Sequence, residues 1–176
     1  MTTIRVEALN AEAFAPFGKV LAPPSSGAVA NGPGWQWWGE IAALPNDGRR
    51  WTFGYLALEL VPMRIDWAEC HLRSPEVVLA AGGDIAVYAG PPSPRDGSRK
   101  PEGLRVFQVP AGSGVVLKPG VWHGAPFTVT GPGSAWVLLL EGTGRDDVTL
   151  VRFADEPVVV EHGPIQHPSA SNKRER

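Results

Sequence analysis

Two short stretches of this chain gather side chains that hold metals and move protons. The first contains Glu69, His71 and Glu76, followed by Gly82 and Gly83. On an extended strand, residues two apart project to the same side, so Glu69 and His71 point together into one space. That is the geometry of a chelate. Glu76 follows after a turn at Ser74 and Pro75, where a returning strand brings its carboxylate beside the pair. The second stretch runs Gly112, Lys118, Gly120 and His123: again a strand, a tight turn and then a histidine.

Short strands must position these groups. The 176 residues include 21 Gly and 18 Pro, about a fifth of the chain against roughly an eighth in average usage. Between these breakers lie short apolar segments rich in Val, Leu, Trp and Phe, the pattern of an all-β sandwich or barrel. Strands are expected at residues 51–60, 76–80, 84–89, 104–109, 114–117, 135–141 and 148–153, a number that suits a small barrel. Residues 105–109 alternate polar and apolar, placing Arg105 and Gln108 on opposite faces. Residues 136–140 are apolar throughout and are expected between packed layers. One short helix is expected over residues 10–17, with Asn10 as its N-cap and Pro16 near its end. Residues 23–34 and 91–103 read as long connections, and the end from His162, including His167, as a frayed polar tail. A single domain over residues 1–161 is expected, with 162–176 as the tail.

Composition excludes several function classes. With 16 basic and 18 acidic residues the formal charge is -2, so no global field recruits nucleic acid or an anionic membrane. The single cysteine, Cys70, excludes an internal disulfide and a thiolate-rich zinc site. Residues 1–15 hold no apolar run of signal-peptide length, and no run approaches the ~18 residues of a membrane span. A cytoplasmic protein is the expectation.

The two stretches resemble the motifs of the cupin superfamily. Glu69, Cys70, His71, four residues, Glu76, six residues and Gly83 fit its first motif, with Glu69 where the first histidine is usual. Gly112 through Lys118-Pro119-Gly120 to His123 is similar to its second, with Lys118 where proline is usual. The resemblance implies a cupin-type β-barrel (a double-stranded β-helix) and Glu69, His71, Glu76 and His123 as metal ligands. Two carboxylates and two imidazoles suit a divalent first-row ion, with Ni, Zn, Mn and Fe all compatible.

A closer resemblance covers residues 11–153. The block Glu12-Ala13-Phe14-Ala15-Pro16-Phe17-Gly18-Lys19-Val20, the stretch from Glu69 to Gly83, the Leu104-Arg105-Val106-Phe107 strand and the Gly120-Val121-Trp122-His123 turn look like the ureidoglycolate lyase family. This implies a usually dimeric enzyme that splits ureidoglycolate into glyoxylate and urea in purine (allantoin) nitrogen catabolism. Glu69 or Glu76 is the candidate proton carrier. Arg105 and Lys118 are candidate partners of the substrate carboxylate, with Lys118 also placed among the catalytic groups.

Three positions depart from the family pattern. The stretch after Asn31-Gly32 carries Trp35, Gln36, Trp37 and Trp38 where the family has ionic residues. Gly124 stands where a second histidine often follows, and Gly142 where an arginine usually follows an acidic residue. Trp35 and Trp37 form one apolar face of an edge strand or dimer contact, or Trp37 walls a pocket for a larger substrate. Trp122, next to His123 on a strand, is expected in the core. The competing readings are a metal cupin acting as dioxygenase, isomerase or lyase on another small hydroxy or keto acid, and a non-catalytic ligand-binding cupin.

Overall fold

A computed structural model of the chain describes residues 2–24, 27–92 and 101–163. In chain order its first elements are β1 (Thr2–Ala8), α1 (Ala11–Phe14), β2 (Gly18–Leu21), β3 (Ala30–Gly32), β4 (Trp35–Trp37), β5 (Trp51–Leu58), β6 (Arg64–Ile65) and β7 (Trp67–Cys70). There follow β8 (Glu76–Ala80), β9 (Ile85–Ala89), β10 (Arg105–Val109), β11 (Gly114–Leu117), β12 (Phe127–Thr128), β13 (Gly133–Leu140), α2 (Thr143–Asp146), β14 (Thr149–Arg152) and β15 (Val158–Glu161). Among the described residues no helix is long and apolar enough to cross a membrane.

The protein is mostly β. Six strands form one sheet in the order β12-β9-β10-β1-β15-β6, and five form another in the order β2-β11-β8-β13-β5. Two short pairs, β14-β7 and β3-β4, complete the hydrogen-bonded set. Among the described residues the larger sheet ends on β12 and β6 and the other on β2 and β5. The expected β architecture is present as two main sheets, and a single closed barrel is not seen among the described residues.

Strand alternation builds two cores on either side of the larger sheet. Ile85, Val87 and Ala89 from β9 and Phe107 and Val109 from β10 meet Val78, Ala80, Val115, Leu117 and Ala135 of the second sheet. The intervening residues Ala86, Tyr88 and Val106 turn to the opposite side and pack with Ala68, Cys70, Trp122 and Val151. Trp122 lies in this second core, on the face away from His123, as its position beside the histidine requires.

The helix is shorter than expected. Asn10 caps it, its Oδ1 accepting from the Ala13 N–H at 2.8 Å, but α1 ends at Phe14 and residues 15–17 form a turn. That turn seats Phe14 and Phe17 against Phe107, with ring centroids 5.2 to 5.8 Å apart. Gly18 follows because a Cβ there would lie 1.7 Å from the Val116 carbonyl oxygen.

Other expectations shift. β13 spans Gly133–Leu140, and it is not buried throughout: Ser134 and Leu140 are buried on the face where Trp136 stands 43% exposed. Part of the expected connection at 23–34 is instead β3, which pairs with β4 as a hairpin. Residues 93–100 of the other connection, and residues 164–176 including His167, lie outside the described residues. His162 is exposed, and its Nε2 lies 3.0 Å from Gln108 Oε1.

Candidate metal centre

β7 delivers the first cluster by alternation. Ala68 and Cys70 face the core, while Trp67, Glu69 and then His71 face the other way. The strand is pinned on one side by β14, with Glu69 opposite Leu150, and on the other by paired backbone bonds between Glu69 and His123 at 2.7 and 2.8 Å. Those bonds set the second cluster directly beside the first. Gly120 N–H also donates to the His71 carbonyl at 2.6 Å, locking the two turns together. Glu76 opens β8 on the face that Val78 and Ala80 continue inward, so its carboxylate points to the interior.

Ligand atoms of Glu69, His71 and His123 lie within 4.8 Å of one another. Glu76 Oε2 stands 3.3 Å from His71 Nε2 and 3.2 Å from His123 Nε2. Both imidazoles are fixed at their other nitrogen: His71 Nδ1 is 2.9 Å from the Asp147 carbonyl and His123 Nδ1 is 2.8 Å from the Val121 carbonyl. A carbonyl only accepts, so each Nδ1 carries the proton and each neutral ring presents an Nε2 lone pair. Two lone pairs and two carboxylates then converge on one place, which calls for a cation. The donor set fits a divalent first-row metal, with His71, His123 and Glu69 to hold it and Glu76 against both rings.

Protons substitute for that cation in the metal-free chain. Burial alone would lower the pKa of His123, but the Glu76 carboxylate beside it pushes the value up to about 8. Burial opposes charge on His71 too, but the hydrogen bond and charge of Glu76 together with the Asp147 carbonyl raise its pKa. The Glu76 carboxyl is buried, which favours the neutral form, yet the imidazoles of His123 and His71 hold it down to about 2.

The set opens into a cavity of about 270 Å³, lined by Gly54, Tyr55, Leu56, Trp67, Glu69, His71, Glu76, Val137 and Leu139 among others. Trp67 sits two residues before Glu69 and shares its side of the strand, a signal present in the alternation. Gly124 also lines the cavity, and a Cβ there would lie 1.8 Å from Tyr88 Oη and 3.0 Å from Trp67. Tyr88 fills that space, donating to the Trp67 carbonyl at 3.0 Å. A second histidine has no room at this position, which accounts for the departure.

The expected substrate-side groups lie elsewhere. Arg105 is held by Glu7, with Nε and Nη2 at 2.8 and 2.5 Å from its carboxylate, and stacks over Phe107. Its strand does alternate as read, but it pairs with β1, whose Glu7 takes the guanidinium. Lys118 is exposed, and its Nζ donates to the Ala15 carbonyl at 2.7 Å. Trp37 lies 56% exposed on the β3-β4 hairpin. None of the three is among the residues lining the cavity.

Fold and site together define a mostly β protein with a carboxylate and imidazole set able to hold a divalent metal. Over residues 1–161 the sequence matches the family model described as ureidoglycolate lyase, and the chain belongs to that family. No curated protein matches it. Among solved structures it is similar to a mutant of the 3,4-ketoisomerase QdtA from Thermoanaerobacterium thermosaccharolyticum in complex with TDP-4-keto-6-deoxyglucose, at 15% identity and TM-score 0.41 over 55% of this chain and 63% of that one. It is also similar to a dTDP sugar isomerase from Desulfovibrio desulfuricans, at 18% identity and TM-score 0.33 over 87% and 88%. A third likeness is to peruvianin-I, a cysteine peptidase from Thevetia peruviana latex, at 17% identity and TM-score 0.39 over 77% and 86%. The chain thus spans 63% of the length of the first of these structures.

Proposed function

We propose that the protein is a metal-dependent ureidoglycolate lyase that splits ureidoglycolate into glyoxylate and urea. The observation that carries this reading is the convergence of Glu69, His71 and His123, with Glu76 against both imidazoles, on a small cavity in a chain of that family.

A divalent ion held by His71, His123 and Glu69 would supply Lewis acidity to the substrate's hydroxyl. Glu69 carries the proton. Its side chain is half-buried at the cavity and makes no side-chain hydrogen bond among the described residues, whereas Glu76 is engaged by both rings. Glu69 takes the hydroxyl proton as the O–H pair becomes the glyoxylate carbonyl. The C–N pair leaves with the urea nitrogen, which Glu69 then protonates. Leu56, Val137, Leu139 and Trp67 wall the cavity and limit access of water to the departing group.

Purified protein loaded in turn with Ni, Zn, Mn and Fe is expected to release glyoxylate from ureidoglycolate with at least one of them; no release with any would sink the reading. His71→Ala and His123→Ala are expected to lose bound metal, and Glu69→Gln to weaken metal binding and, with the site filled by excess ion, still to lower turnover roughly 100- to 10,000-fold. The functional unit in this reading is a dimer of the chain, joined through the open edge of β5.

A further inference from the structure

We propose that Arg145 is the residue that anchors the substrate's carboxylate and makes the site selective for acids. The inference rests on the metal-site reading above and adds a residue to it.

The metal cavity does not end at β13. A second hollow of about 340 Å³, lined by Thr52, Leu140, Gly142, Arg145 and others, shares Gly54, Val137, Leu139 and Gly144 with the cavity that holds Glu69, His71 and Glu76. The two are chambers of one cleft along β5 and β13, with α2 at the junction. Arg145 contributes the only Lys or Arg side chain among the residues lining either chamber. It is exposed, and its guanidinium has no ion pair or hydrogen bond among the described residues. Its neighbour Asp146 does not neutralise it, because that carboxylate is paired with Arg73 at 3.1 Å.

Its placement relative to the metal ligands is fixed by the backbone. The carbonyl of Asp147, two residues on, accepts from His71 Nδ1 at 2.9 Å, and the Asp147 side chain accepts from the N–H groups of Leu72 and Arg73 at 3.0 and 2.7 Å. The turn that carries Arg145 is therefore clamped to the turn that carries His71. Gly144 lies between the chambers, and its lack of a side chain leaves the passage open.

Charge balance supplies the need. Glu69 and Glu76 cancel the charge of a divalent ion while the imidazoles stay neutral, so an incoming carboxylate would enter a site with no net attraction. Burying that anion without a partner is costly. A free arginine fork at the mouth provides two parallel hydrogen bonds and the missing positive charge. Arg105, paired with Glu7, and Lys118, which donates to the Ala15 carbonyl, line neither chamber.

The test compares wild type, Arg145→Gln and Arg145→Lys, all metal-loaded, for binding of glycolate and of its neutral amide, followed by quenching of tryptophan fluorescence. Arg145→Gln is expected to weaken glycolate binding about 10- to 100-fold, leave the amide unchanged, and leave metal content and melting temperature unchanged. Arg145→Lys is expected to recover part of the loss. With ureidoglycolate, the effect belongs in KM more than in kcat. Equal glycolate affinity in wild type and Arg145→Gln overturns the inference, as does a wild type with no preference for glycolate over the amide. Acid-selective binding that depends on Arg145, in a protein that never cleaves ureidoglycolate, would sink the lyase reading and leave Arg145 standing.

Discussion

A carboxylate oxygen 3.2 and 3.3 Å from two imidazole Nε2 atoms needs a proton or a metal ion between the groups. In the metal-free chain the raised pKa of His123, about 8 against 6.5 unfolded, contributes stability that is full below about 6.5 and lost as pH rises through 8. Glu76, held at about 2 against 4.5, contributes stability present above about 4.5 and lost as pH falls toward 2. The metal-free protein is therefore expected to melt highest between about pH 4.5 and 6.5 and to weaken as pH rises from 6.5 through 8. Metal must displace the same protons, so its stabilising increment grows from pH 6 to 8.5, with proton release on uptake. Melting curves with and without metal, and calorimetry in buffers of different ionisation enthalpy, check this. An increment independent of pH, or uptake without proton release, would contradict the arrangement of Nε2 lone pairs.

The centre depends on elements far apart in sequence, and this decides what could be read from the sequence. Alternation along β7 and β8 is local, so the facing of Glu69, His71 and Glu76 followed from period two and a turn at Pro75. The diversion of Arg105 did not, because it depends on β10 pairing in parallel with β1, about a hundred residues earlier in the chain. β1 itself carried a readable signal, with Ile4 and Val6 alternating against Thr3 and Arg5. The Asp147 clamp had none: its partners at Leu72 and Arg73 lie 75 and 74 residues away. The clamp also holds the carbonyl that orients His71. Asp147→Ala is expected to cost about 1 to 3 kcal/mol of stability and to lower metal affinity about tenfold, with Asp147→Asn between it and wild type. Stability loss with unchanged affinity would show that His71 is oriented without the clamp. Gly124→Ala brings a Cβ within 1.8 Å of Tyr88 Oη and must displace the tyrosine or the His123 turn. A loss of about 1 to 3 kcal/mol is expected; a melting temperature equal to wild type would show that Tyr88 moves freely.

At the scale of the molecule, the two sheets pack through their inner faces, and one of their terminal strands is unusual in composition. β5 ends its sheet, and its eight residues Trp51–Leu58 contain no charge and no proline. Edge strands are normally protected by such residues, since their unpaired N–H and C=O groups invite another strand. Beside this edge Phe53, Tyr55 and Trp136 stand 69, 56 and 43% exposed, with Trp136 edge-on to both of the other rings. Three aromatic rings offer only part of the roughly 800 Å² per partner that a stable interface needs, so the strand edge itself must contribute. A second copy, related by a two-fold axis and pairing β5 with its own β5 antiparallel, satisfies both the backbone and the aromatic face. Gly54, Tyr55 and Leu56 also wall the metal cavity, so this contact would screen the cavity along β5. Light scattering is expected to give a wild-type mass of twice 18.8 kDa. The double substitution Phe53→Glu with Trp136→Glu is expected to give the single value, with metal content unchanged. A monomeric wild type at tens of micromolar would overturn the dimer, whereas a dimer that survives both glutamates would place its interface on another face and leave β5 open to solvent.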